Sequence, residues 1–170
     1  ASAGGDDVFL AKLNPQTGEL AWARSYGGTN DDYVAALSAR GDAVYLGGGF
    51  NTNTVIGANT LATTASSAGY LIRVNPTTGD PIWAQLLNNQ ADLSGFPGFT
   101  GVYGLDVDTN GAVYLTGDSR GPNLSYGSLS IFDPGSSGDS YGFLAKVEPA
   151  NGTAIWLKRL NRQGIGNSIA

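Results

Sequence analysis

"NPQTGELAW" (residues 14–22) decides the fold, because the chain writes it three times. It returns as "NPTTGDPIW" (75–83) and as "EPANGTAIW" (148–156). All three tryptophans of the protein, Trp22, Trp83 and Trp156, close a copy of this device, 61 and 73 residues apart. Pro15, Pro76 and Pro149 keep the same spacings, as do Gly18, Gly79 and Gly152. Before each copy lies a matching run: "VFLAKLN" (8–14), "GYLIRVN" (69–75) and "GFLAKVE" (142–148). Proline presets φ for a turn, glycine supplies the left-handed residue that closes it, and alternating residues flank both sides, so each copy predicts a β-hairpin. In the first hairpin Phe9, Ala11 and Leu13 share one face of the incoming strand, and Leu10 and Lys12 the other. The repeated indole closes the second strand, where a large flat ring can bury against the neighbouring copy.

A second element recurs between the hairpins. "DDYVAALSARGDAVYLGGGF" (31–50) matches "GVYGLDVDTNGAVYLTGDS" (101–119), with "AVYL" at 43–46 and 112–115. This is again two strands and a short turn, and two hairpins in succession make a four-stranded meander. A single meander cannot cover both of its faces, whereas several arranged radially can. The chain is therefore predicted to be all-β, a β-propeller fragment of four-stranded antiparallel blades. Residues 1–26 form the outer hairpin of one blade, 33–84 a full blade, 102–158 another, and "GIGNSIA" (164–170) the first strand of a further one. Two full and two partial blades leave open edges, so further blades are expected from a longer chain or from other copies.

Composition narrows the functions open to such a chain. The 170 residues hold 26 Gly and only 14 % charged side chains, which suits many tight turns, and 41 % hydrophobic residues are too many for a disordered chain. The net charge of −5 argues against nucleic acid, since phosphate binding needs a basic stripe, and Lys158, Arg159 and Arg162 form the only basic cluster. Absence of Cys removes disulfides and thiolate chemistry, and absence of His removes the commonest general base and metal ligand. No apolar run approaches the roughly 20 residues that span a bilayer. No catalytic site and no cofactor are expected.

"GGTNDDYVAALSARGDAVYLGGGF" (27–50), followed by "TLATTASSAGYLIRVNPTTGDPIWAQ" (60–85), resembles the bacterial seven-bladed β-propeller repeat (SBBP) family. The resemblance covers nearly the whole chain. It implies a secreted, cell-surface or cell-envelope bacterial protein whose propeller is not assigned any catalysis, and it fixes no ligand. "AKLNPQTGELAW" (11–22) is also similar to the tryptophan-docking repeat of quinoprotein dehydrogenases and outer-membrane assembly propellers. In those repeats the outer hairpin follows the "VYLG"-type strand almost directly, whereas here residues 51–69 and 120–141 intervene, which fits the first family better.

Few motifs carry chemistry. "DVDTNG" (106–111) has the opening spacing of a calcium loop, which would use Asp106, Asp108 and Asn110, but its twelfth position is Gly117 and an Asn-Gly hairpin turn accounts for the same letters. "RGD" at 40–42 likewise falls at a hairpin turn. In a meander the within-hairpin turns gather on one rim and the long connections, 51–69, 86–101 and 119–141, on the other. Recognition on rigid scaffolds concentrates in such long connections. Phe96, Phe99, Asp118, Arg120, Tyr126 and Asp133 are accordingly the candidate binding residues, with "TVIGANTLATT" (54–64) open to the alternative of a satellite strand. The expected function is a non-catalytic scaffold or binding module with a protein partner, other copies of the chain, or a glycan. The alternative is a structural subunit assembling through open blade edges, and a quinoprotein-type enzyme ranks below both.

Overall fold

The computed structural model describes residues 4–89, 98–132, 139–162 and 167–169, and among them there is no helix. The strands are β1 (Val8–Leu13), β2 (Leu20–Tyr26), β3 (Asp32–Arg40), β4 (Ala43–Phe50), β5 (Asn53–Ile56), β6 (Asn59–Ala62) and β7 (Ala68–Val74). They continue as β8 (Pro81–Asn89), β9 (Phe99–Val107), β10 (Val113–Arg120), β11 (Asn123–Tyr126), β12 (Leu129–Phe132), β13 (Ser140–Val147) and β14 (Ala154–Arg162). Every pairing is antiparallel. β1 pairs with β2, β3-β4-β7-β8 form one four-stranded meander, and β9-β10-β13-β14 form another. The fold is thus all-β, a propeller fragment of blade-like sheets without closure into a barrel. The observed meanders run through 32–89 and 99–162, a few residues beyond the expected bounds, because β8 continues past Trp83 and β9 begins before Val102. Of the segment 164–170, only 167–169 is described. Those residues lie outside any strand, with the Ser168 backbone against Gly104 of β9.

The repeated device folds through its own side chains. Asn14 Oδ1 accepts from the amides of Gln16 and Thr17, and Asn75 Oδ1 from those of Thr77 and Thr78. The turn then closes from Gly18 N–H to Asn14 O and from Gly79 N–H to Asn75 O. In the third copy Gly152 N–H bonds Glu148 O. Gly18, Gly79 and Gly152 sit at φ +73°, +77° and +77°, a left-handed conformation that side-chain-bearing residues adopt only at a cost.

Period-two alternation divides the interior into two cores, one at each seam between sheets. Along β7, Tyr70, Ile72 and Val74 face the first hairpin and join Val8, Leu10, Tyr26, Leu46 and Phe50. Leu71, between them, faces the third sheet and joins Tyr45, Trp83, Val102, Leu115 and Phe143. Each such fully buried side chain contributes about 1.5–3 kcal/mol.

The segments between the "VYL" strands and the outer hairpins fold as small hairpins, β5–β6 and β11–β12, each turning at a left-handed glycine, Gly57 or Gly127. β11 also pairs with β8 of the preceding sheet, through Leu124↔Asn89, Ser125↔Asn88 and Tyr126↔Leu87. The middle sheet therefore has six strands, β12-β11-β8-β7-β4-β3. A strand that belongs to one blade in sequence completes the outer edge of the blade before it.

Candidate functional site

On the rim of short turns, the repeated residues are consumed by docking. Lys12 Nζ and Trp22 Nε1, from the first hairpin, both donate to the Pro76 carbonyl, at 2.9 and 3.3 Å. Arg73 and Trp83 repeat this on the Pro149 carbonyl, at 3.1 and 3.2 Å. The indole lies flat against the next turn's glycine. A Cβ added to Gly79 would come within 2.7 Å of the Trp22 ring, and one added to Gly152 within 2.7 Å of the Trp83 ring. Trp83 also tilts against Tyr45, with ring centres 5.9 Å apart, as Trp156 does against Tyr114 at 6.2 Å. The short-turn motifs are held in the same way. Arg40 of the "RGD" stretch donates to the Val107 carbonyl at 2.8 Å. Asp108 Oδ1 accepts from the amides of Asn110 and Ala112, and its Oδ2 from the Tyr114 hydroxyl. The Ala112 amide and its companions hold the Asp108 carboxyl below the usual carboxylate range. Asp106 stands opposite Tyr114 in the β9–β10 ladder. Among the described residues no group of three or more acidic side chains is gathered for a metal.

The opposite rim is different. Asp118 and Arg120 lie two apart on β10, hence on one side of the strand, and Phe99 stands opposite Arg120 in register. Asp118 is buried, with its Oδ1 bound by nothing, and the Arg120 Nε is likewise enclosed without a partner. Tyr103, on β9, hydrogen-bonds the Asp118 carboxylate, with Tyr33 of β3 and Ser67 beside it. Glycine makes the space for this cluster. A Cβ at Gly101 would stand 2.7 Å from the Tyr103 hydroxyl and 2.8 Å from that of Tyr33, and one at Gly49 would strike Tyr33 outright. Burial pushes the Asp118 carboxyl up, against the smaller downward pulls of Tyr103 and Arg120. Burial raises the Tyr33 and Tyr103 phenols as well. The arrangement offers a carboxylate oxygen, a guanidinium donor and phenols beside a half-buried Phe99, a set that can grip amides or hydroxyls.

Of the residues expected from sequence, Phe99, Asp118 and Arg120 come together here. Phe96 and Asp133 lie outside the described residues. Tyr126 belongs to the seam and not to the rim: it is 1 % exposed, and its hydroxyl donates to the Gly152 carbonyl at 2.8 Å. Tyr33, Tyr103 and Ser67 escaped sequence reasoning, although glycines inside the strands, at 47–49 and 101, signal close approach.

No protein-family model matches this sequence, and no curated protein matches it either.

Proposed function

We propose that the protein is a non-catalytic β-propeller scaffold whose long-connection rim binds a protein partner through Phe99, Asp118 and Arg120, with Tyr33 and Tyr103 shaping the floor. One contrast carries this reading. On the short-turn rim Lys12, Trp22, Arg73 and Trp83 all donate to neighbouring turns, although the Arg73 Nε stays enclosed without a partner, while on the other rim Asp118 and Arg120, an acid and a base on one side of β10, both keep enclosed polar atoms unsatisfied. Buried unpaired polar atoms are costly, and a ligand that pairs them recovers that cost. The resemblance to SBBP repeats supports a bacterial protein at the cell surface, in the envelope or outside the cell. Lack of His and Cys supports a non-catalytic role.

The test is selection of binders from a displayed random-peptide library, with a glycan array in parallel. A binder whose affinity falls at least tenfold in Phe99→Ala and Arg120→Ala, but not in Asn110→Ala on the opposite rim, supports the proposal. Binding only to glycans moves the site to a sugar ligand. Binders indifferent to both rim variants, or none at all, overturn it.

A further inference from the structure

Asparagine is followed by glycine at two places in this chain, Asn110-Gly111 and Asn151-Gly152. Glycine carries no Cβ, so it shields its own backbone nitrogen least from the amide carbon of a preceding asparagine. Both pairs close hairpin turns on the short-turn rim. Both asparagines are exposed, and both glycines are left-handed, at φ +84° and +77°. Sequence and local conformation make the two pairs alike, but their surroundings do not.

Asn151 belongs to a docked turn. Its Oδ1 accepts from the Thr153 amide at 3.0 Å and the Thr153 hydroxyl at 2.8 Å, and its carbonyl accepts from Gln85 Nε2 at 2.9 Å. Gly152 is buried against the Trp83 ring, its N–H donates to the Glu148 carbonyl at 2.9 Å, and its carbonyl accepts from Tyr126 at 2.8 Å. Opening this turn means detaching it from the middle sheet.

Asn110 stands at the tip of an undocked turn. Its amide donates to Asp108 Oδ1 at 2.8 Å, but among the described residues no hydrogen bond holds its side chain. The Gly111 N–H is tied by a single bond, to the Asp108 carbonyl at 3.0 Å. A Cβ placed on Gly111 would meet nothing within 4 Å. A cavity of about 480 Å³, lined by Arg40, Asp42 and Asn110 among others, lies beside the turn and leaves it room to change shape.

We propose that Asn110 is a site of spontaneous deamidation and isoaspartate formation, and that docking protects Asn151 from the same reaction. The Gly111 nitrogen loses its proton and attacks Asn110 Cγ. An N–Cγ bond forms, the bond from Cγ to the side-chain nitrogen breaks, and ammonia leaves with the proton that Gly111 gave up. Water then opens the five-membered imide. Cleavage at Cγ yields an aspartate, and cleavage at the main-chain carbonyl yields an isoaspartate, whose backbone is longer by one CH₂. Either product adds a negative charge on the cavity wall that Arg40 shares. The reaction is independent of what the long-connection rim binds.

Peptide mapping by mass spectrometry, after incubation of the protein at mildly alkaline pH, tests this directly. The peptide containing Asn110 should gain one mass unit and split into a second chromatographic peak, at least tenfold faster than the peptide containing Asn151. In urea strong enough to unfold the chain the two rates should converge, because local opening no longer limits either. Asn110→Gln should remove the early product and leave the slow one at Asn151. Equal rates in the folded protein, or faster reaction at Asn151, overturn the proposal. So does an Asn110 that stays intact in the folded chain over about ten times the period in which the unfolded chain reacts.

Discussion

Between the first and middle sheets, the hydroxyl that reaches the turn glycine comes from Tyr26 on β2 and binds the Gly79 carbonyl. Between the middle and third sheets it comes from Tyr126 on β11 and binds the Gly152 carbonyl. The repeat aligns Tyr26 with Leu87 and Ile56 with Tyr126, so the large phenol and the aliphatic have exchanged places across the seam while the hydrogen bond is kept. Below them the polar filling differs too. In the first seam Asp32 Oδ2 accepts from the Gly28 amide at 2.8 Å. In the second, Asn89 Nδ2 donates to Ser119 Oγ at 2.6 Å, Ser119 meets Thr100 at 2.9 Å, and Asn89 Oδ1 accepts from the Asn123 amide. The second seam is zipped by the β8–β11 ladder. At the first, β5 forms no such ladder with β2, and a groove of about 620 Å³ remains between Ser25, Gly27, Asn53, Val55 and Thr60. A seam is therefore specified by volume and by one carbonyl's need for a donor, and several residue sets meet both conditions.

The largest expected effect exploits the unequal burial of the two docked indoles. Trp83→Ala should cost about 4 kcal/mol and Trp22→Ala about half as much, because Trp83 is buried and Trp22 only half so. Urea-unfolding midpoints at constant slope measure the difference, and equal losses would mean that the two seams bear load equally. The exchange of Tyr and aliphatic offers a finer test. Leu87→Tyr alone overfills the second seam, and Tyr126→Ile alone leaves the Gly152 carbonyl without its donor. Each should cost about 2 kcal/mol. The double variant, which copies the first seam into the second, should recover at least about 1 kcal/mol of their sum, and plain additivity would show that position as well as identity matters.

The smallest effect is the part of the pH dependence that Asp32 brings to the first seam. Burial, opposed by Thr54 and the Gly28 amide, holds the Asp32 carboxyl above its ordinary value of 3.8, so the folded chain binds that proton more tightly than the unfolded one. This group's contribution to stability grows as pH falls through the raised value toward 3.8, and is level below it. Asp32→Asn should remove that portion of the pH profile, while Asn89→Asp should introduce one into the second seam. Superimposable wild-type and Asp32→Asn profiles would assign the pH dependence elsewhere, with Asp118 the next residue to test.

The sheets were legible because their signals are local. The Pro-x-x-Gly turn, the flanking alternation and the spacing of Trp22, Trp83 and Trp156 each lie within a short window. The satellite hairpins were legible only in part: 54–64 was open to a satellite strand, but strands of four residues around Gly57 and Gly127 look like loop, and the ladder from β11 to β8 joins residues far apart in sequence. For that reason Tyr126 reads as an exposed loop aromatic until its partner Leu87 is known. The long-connection rim was half legible: topology sends Asp118 and Arg120 there, but Tyr33 and Tyr103 join them only because glycines at 49 and 101 leave room, which no single-strand pattern reveals.

The ladder between β8 and β11 also sets an order of events on the ribosome. β8 is complete when residue 89 has emerged, yet its outer edge waits for residues 124–126 before its amides and carbonyls find partners. Throughout that interval the nascent chain presents an uncapped edge, the surface on which neighbouring chains on a polysome would pair by mistake. Slow translation across 90–123 would lengthen that exposure, so the codons of that stretch bear on yield even though its residues make none of the three docking turns.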